Sequence, residues 1–182
     1  MEKNIKLLVF IKPGFADNIS LVNDVKNRIV NAGLKIVKGE YVCYLPVDAE
    51  EHYIEHAGRP YLPTLVNYAT SGPIYGMVVS GPESTAVETI RRLAGRTIKI
   101  KPEYKDKKAE LEAALCEMSY EEACEYFFMP EVGSIRHELI EKYGYRYDMT
   151  KNIMHSSDSA EAGKREIAIF KNAVTRENSI DV

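Results

Sequence analysis

The chain has 182 residues, 45% of them hydrophobic and 28% charged, with a net charge of −3; this fits one soluble domain, or one domain with an elaboration, that buries a real core. The slightly acidic balance speaks against a protein that coats nucleic acid. Cys43, Cys116 and Cys124 are odd in number and lack CxxC spacing, so neither a disulfide frame nor a zinc-cysteine site is expected. No apolar stretch approaches a membrane span, and Met1-Glu2-Lys3-Asn4 has no signal-peptide layout, so the expected location is cytoplasmic.

Lys6 to Ile11 is a nearly continuous apolar run that stops at Lys12-Pro13-Gly14, which predicts a central strand delivering Lys12 to its end. Lys12 is there either as a boundary charge or as a phosphate or ribose ligand. Asp17 or Asn18 can cap a helix with Val22, Val25 and Ile29 at helical spacing, stopped by Gly33. Leu34 to Leu45 reads as a long strand with Gly39 as a candidate bulge. Asp48 opens a short helix carrying His52-Tyr53-Ile54-Glu55-His56. Its two histidines share a face that could suit a metal, but the HExxH pattern is absent and a solvated helix face is the plainer reading.

Gly58 to Pro63 reads as a turn, Thr64 to Ala69 as a second short helix, and Ile74 to Val79 as a buried strand. Pro82-Glu83 begins a helix with Val87, Ile90 and Leu93 on one face and Gly95 as its stop; Arg91 and Arg92 fall in its last turn, where cations complement the dipole. From about 98 to 133 the texture changes to a lysine cluster followed by acidic helical sequence and the apolar Tyr126-Phe127-Phe128-Met129, which must pack on something. His137 to Tyr143 fits a short helix, and the tail from Lys171 a packed or frayed terminus.

The stretch Asn152-Ile-Met-His155-Ser-Ser-Asp-Ser159 is a short apolar run carrying one histidine, followed by a helix from Ala160 to Phe170. Asp158 is a candidate N-cap with Glu161 reaching back. His155 therefore sits beside backbone N–H groups that favour anions, and Glu166, in the helix, can fold back to hold its ring. A histidine before a capped helix is also simply a turn residue. With 98–133 set aside, the elements follow a split β-α-β plan in the α/β (α+β) class: a small ferredoxin-like four-stranded antiparallel sheet, covered by helices mainly on one face. Residues 1–182 are expected to form a single domain with a helical insertion.

Taken in order, Ile11-Lys12-Pro13, His52-Tyr53, Arg59-Pro60-Tyr61, Tyr68 to Pro73, Arg91 to Thr97, Ser134-Ile135-Arg136, Asn152 to Ser159 and Arg165-Glu166-Ile167 resemble the nucleoside diphosphate kinases. The resemblance implies ping-pong transfer of a γ-phosphate through His155, with Glu166 fixing the ring, and ATP and other nucleoside tri- and diphosphates as partners. It also implies Lys12 and Asn152 at the ribose, Arg91, Thr97 and Arg136 at the phosphates, Tyr53 near the phosphorylated ring and Tyr61 stacking on the base. Mg2+ is implied as the cofactor, carried by the nucleotide phosphates, and a homo-oligomer as the assembly.

This sequence departs from the family at Gly14-Phe15, where an aspartate is usual, and at Lys151, where an arginine is. His137-Glu138 replaces Gly-Asp after Arg136, and the connections flanking Arg136 are longer, which leaves open whether Thr97 and Arg136 keep their positions. The insertion reads as an amphipathic hairpin on the surface, or as a lid, a subunit contact, or a basic patch for an acidic partner or RNA. The alternative function is a nucleotide-binding regulatory module without turnover; a purely structural domain would have no reason to keep these polar positions together.

Overall fold

The structure is a computed structural model and describes residues 2–119, 122, 126–146, 148 and 151–179. Its main sheet comprises β1 (Asn4–Ile11), β2 (Lys35–Val42), β3 (Ile74–Pro82) and β6 (Met154–Ser156), in the order β2-β3-β1-β6 with every pairing antiparallel. Helix α1 (Ile19–Asn31) links β1 to β2, the short helices α2 (Pro46–His52) and α3 (Leu62–Ala69) lie between β2 and β3, and α4 (Ala86–Ala94) follows β3. The four-stranded antiparallel sheet of ferredoxin-like type matches the sequence expectation.

Side chains alternate across β1. Ile5, Leu7, Val9 and Ile11 pack with Met77 and Val79 beneath Leu21, Val25 and Ile90 of α1 and α4. Leu8 and Phe10 turn the other way, with Ile74 and Val78, onto Ile167, Phe170 and Ala173 of the terminal helix α7 (Ala160–Asn178). Helices thus cover both faces, and the expected one-sided cover is wrong. A strand as continuously apolar as β1 has no face fit for water. Of the two expectations for the tail from Lys171, packed or frayed, the described residues show the packed one: α7 continues to Asn178 because Ala173 and Val174 extend its buried stripe.

Several boundaries differ from expectation for local reasons. Pro82 is the last residue of β3, paired with Asn4, so α4 begins at Ala86 instead. Pro46 opens α2, and the Asp48 carboxylate accepts the Leu45 N–H at 2.8 Å from inside the first turn. The irregularity in β2 lies between Ile36 and Lys38, not at Gly39. Ser159 caps α7, its hydroxyl accepting the Ala162 N–H at 3.0 Å, and displaces Asp158 from that role.

In the segment between α4 and α6 (Ile135–Tyr143) the first helix of the expected hairpin is present, and the second, from Tyr120 to Tyr126, lies largely outside the described residues. Lys99–Ile100 (β4) pairs with Phe128–Met129 (β5) as a two-stranded ribbon, and α5 (Lys108–Glu117) is carried beyond it. Phe127 is buried against Leu111 and Tyr104 in a cluster separate from the main core, so the apolar end packs within the insertion.

Candidate active site

His155 lies opposite Phe10 in the β1–β6 register, and the two rings stack with centroids 4.8 Å apart and planes 22° from parallel. Opposed residues of paired strands share a face, so His155 points toward α7. There the Glu166 carboxylate, buried to 4% exposure, meets it: His155 Nε2 lies 2.9 Å from Glu166 Oε2. The same oxygen accepts the Ser157 hydroxyl at 2.6 Å, and Ser157 is itself pinned by the Leu8 N–H at 2.9 Å. This closeness depends on Gly163. A Cβ there would sit 2.6 Å from the Lys6 carbonyl oxygen, so glycine lets α7 lie against β1 and places Glu166, the next turn along, within reach of β6.

Burial, together with the cations Lys12 and Arg136, drives the His155 pKa down to about 3, so the ring is neutral at ordinary pH. With Nε2 donating to the carboxylate, the ring proton sits there and the lone pair is on Nδ1. Burial pushes the Glu166 pKa up, while His52, the Ser157 hydroxyl and Arg165 hold it down.

Lys12 follows β1, its N–H bonded to the Ile153 carbonyl at 2.9 Å and its carbonyl accepting from Phe15 and Ala16 at 3.1 Å. Its ammonium lies 5.7 Å above the Tyr68 ring, and Tyr68 donates to the Pro13 carbonyl at 2.9 Å. Burial and Arg136 lower its pKa to about 7, with Asp148 opposing. Lys12 is buried rather than a solvated charge at the strand's boundary.

Arg136, in the first turn of α6, binds three segments. Nε donates to Asn152 Oδ1 at 3.2 Å, Nη2 to the Met154 carbonyl at 2.8 Å, and Nη1 to the Gly95 carbonyl. Gly95 has φ +75°, and a Cβ there would strike Ser134, the cap of α6. Glycine therefore lets the end of α4 and the start of α6 meet. Beside this junction Arg96 and Glu131 exchange two hydrogen bonds, 3.1 and 3.2 Å, which tie the two ends of the insertion together. A cleft of about 780 Å³ opens here, lined by Arg91, Arg92, Arg96, Thr97 and Arg136 and reaching β6 at Ser156, next to His155. Thr97 and Arg136 thus line one cleft with Arg91 in spite of the insertion.

Tyr53 is half-buried with its ring edge-on to His52 at 4.9 Å, and burial and Glu166 push its phenol pKa up. Tyr61 stands apart from that cleft on the exposed N-terminus of α3, its hydroxyl 3.2 Å from His56 Nδ1. His56 belongs to a one-turn 3₁₀ helix after α2, so the two histidines do not share a solvated helix face. His52 is instead 3% exposed and edge-on to His155 at 4.5 Å. Sequence reasoning missed Phe10 and Ser157 here, and it favoured a solvated helix face over a metal for His52. For Ser157 the available signal was its place between the histidine and the helix.

A neutral imidazole with one nitrogen clamped and the other bearing a lone pair, one residue along β6 from an arginine-lined cleft, is an arrangement suited to phosphate chemistry. The pattern of the nucleoside diphosphate kinase family matches residues 6–174. Nucleoside diphosphate kinases of Methanosarcina mazei and Saccharopolyspora erythraea are 34% and 33% identical over 166 and 165 residues, covering 91% of this chain and 87% and 95% of theirs. A solved nucleoside diphosphate kinase from Halobacterium salinarum, in complex with CDP, superposes with a TM-score of 0.63 at 27% identity, over 93% of this chain and 88% of that one. The Aquifex aeolicus enzyme shares the fold at the same TM-score, with 24% identity and coverage of 92% and 95%. The chain belongs to the nucleoside diphosphate kinase family.

Proposed function

We propose that this chain is an active nucleoside diphosphate kinase in which His155 carries the phosphoryl group from a nucleoside triphosphate to a nucleoside diphosphate. The observation that supports this reading best is the His155–Glu166 clamp, 2.9 Å at Nε2, which leaves the Nδ1 lone pair to attack. Nδ1 bonds to the γ-phosphorus as the bond to the bridging oxygen breaks, and the diphosphate leaves with that electron pair. The second substrate's terminal oxygen reverses the step. Glu166 keeps the Nε2 proton in place and offsets the charge that the ring gains when it is phosphorylated.

In this scheme Arg91, Thr97 and Arg136 bind the phosphates, and Lys12 and Asn152 the ribose, with Lys12 also near the moving group. Tyr53 places its hydroxyl by the phosphorylated ring, and Tyr61 stacks on the base, which gives weak base selectivity because every base has a π-face. The CDP bound to the Halobacterium protein supports a diphosphate ligand for this cleft. Among the described residues, the His52–His155–Glu166 group is richer in nitrogen than the all-oxygen shell of Mg2+, so Mg2+ fits as an ion held by phosphate oxygens and water. Bound there, it would neutralise charge on the β- and γ-oxygens. We read residues 1–182 as one such domain in the cytoplasm; no helix among the described residues is long and apolar enough to cross a membrane. A homo-oligomer is supported by the edge strand β2, which exposes Val37 and Tyr41.

Incubation with γ-labelled ATP tests the mechanism. An acid-labile, alkali-stable adduct that a nucleoside diphosphate discharges is expected. Its absence from wild type, or its persistence in His155→Ala, would refute it. Nucleotide binding without transfer would point to a regulatory module.

A further inference from the structure

We propose that His52, His155 and the Glu166 carboxylate form a binding site for a borderline divalent transition-metal ion, zinc by preference, and that the ion blocks phosphoryl transfer while bound. The blocking half rests on the function proposed above; the binding half does not.

Each of the three residues offers one ligand atom, and these atoms lie within 4.8 Å of one another. Zinc bonds nitrogen and oxygen at roughly 2.0–2.2 Å, so the ligands of a tetrahedral ion stand about 3.4 Å apart. His155 Nε2 and Glu166 Oε2 are already closer, at 2.9 Å. A shift of roughly an ångström or more by the His52 ring completes the set, and His52 is the last residue of α2, where a helix end gives most easily. Three protein ligands leave a fourth position for water, as open zinc sites do.

His52 supplies the independent reason. It is buried, and neither of its ring nitrogens has a hydrogen-bond partner among the described residues. A buried imidazole normally has one. Around it stand Phe10, Tyr44, Tyr53 and His155, ring against ring, and no polar group among the described residues accepts from it or donates to it. A metal bond would satisfy one nitrogen. Two imidazoles and one carboxylate select zinc, copper or nickel over Mg2+ or Ca2+. Glu166 and Asp158 favour a cation at this place, whereas Lys12, Arg136 and Arg165 oppose it.

The block follows from proton bookkeeping on one ring. In the metal-free protein the His155 proton is on Nε2 and the lone pair on Nδ1. An ion bound at Nε2 takes that nitrogen's electron pair, and the proton moves to Nδ1. No net proton is released, but Nδ1 no longer has a lone pair with which to attack phosphorus.

The test uses the full, nucleotide-free chain titrated with zinc against a chromophoric chelator, with X-ray absorption at the zinc edge. One ion per chain with two imidazole ligands is expected. His52→Phe, which keeps a planar ring without nitrogens, and Glu166→Gln should each weaken binding by at least about tenfold. If His52→Phe proves misfolded by circular dichroism, Glu166→Gln carries the comparison. Unchanged affinity in a folded variant, or a single-imidazole signature, overturns the site. Zinc should also prevent labelling of His155. Tight zinc binding with undiminished labelling overturns the block alone, while no labelling in zinc-free wild type refutes the kinase reading and leaves the metal result intact.

Discussion

Lys12 gives the most quantitative test of the candidate site. Its pKa in the empty protein is lowered to about 7 by burial and by Arg136. An incoming polyphosphate surrounds the ammonium with negative charge and returns its pKa toward the ordinary value of about 10.4. Lys12 is then about half protonated before binding at pH 7 and about one-tenth at pH 8, so nucleotide binding takes up about 0.5 and about 0.9 proton at the two values. The same linkage weakens apparent affinity about fivefold between pH 7 and pH 8, equivalent to about 1 kcal/mol. Titration calorimetry in two buffers of different ionisation enthalpy reads the uptake directly. Lys12→Met removes the titrating group, and subtracting its uptake cancels protons that belong to the nucleotide. Lys12→Arg, charged throughout, should bind with little uptake and a flat pH profile in this range. Equal uptake at pH 8 in wild type and Lys12→Met would refute both the lowered pKa and the placement of Lys12 at the phosphates.

Glu166→Gln replaces an anion by a neutral group at the ring nitrogen and should lower the rate of His155 phosphorylation by roughly 10²-fold or more, read by rapid quench, with nucleotide affinity nearly kept. Gly163→Ala drives a methyl group into the Lys6 carbonyl and should cost about 1–3 kcal/mol in urea unfolding, as overpacking does. It should also loosen the Glu166 contact and lower the phosphorylation rate. Acid stability follows from the histidines. His155 titrates near 3 when folded and near 6.5 when unfolded, so the unfolded chain binds the extra proton below pH 6.5 and stability falls as pH drops through that value. At pH 5.5 the loss from His155 is about 1.4 kcal/mol, which His155→Gln should abolish when unfolding free energies at pH 7.5 and 5.5 are compared.

The legible part of this protein was carried by period and position. β1 announced itself as an unbroken apolar run, α1 by its spaced valines, and the His155–Glu166 pair by a strand end followed by a helix that returns over it. What escaped was decided by contacts distant in sequence. His52 looks solvated on a short helix, yet the face of the sheet carrying Phe10 and His155 covers it. One-sided cover of the sheet does not hold because the apolar run Leu7 to Ile11 of β1 demands two covered faces. The capping error at Asp158 shows a finer limit. Two adjacent residues can both cap a helix, and only backbone geometry chooses Ser159.

The departures from the family's sequence also look different in three dimensions, because they answer one another. Phe15, which follows Gly14 at the place where an aspartate is usual, is buried with its ring edge-on to Tyr145 at 4.7 Å. Tyr145 lies in the lengthened connection between Arg136 and Asn152, and its hydroxyl receives the Asn18 side chain at 3.4 Å. Beside the lost carboxylate, the turn after Pro13 and the longer connection are thus joined by an aromatic contact. At the other connection, the Arg96–Glu131 pair closes the base of the insertion, so its length adds a ribbon outside the cleft without separating Thr97 from Arg136. Loop closure cost grows only slowly with length once the ends are fixed. Position in the fold, rather than spacing in the sequence, is what brings Arg91, Thr97 and Arg136 to the same cleft.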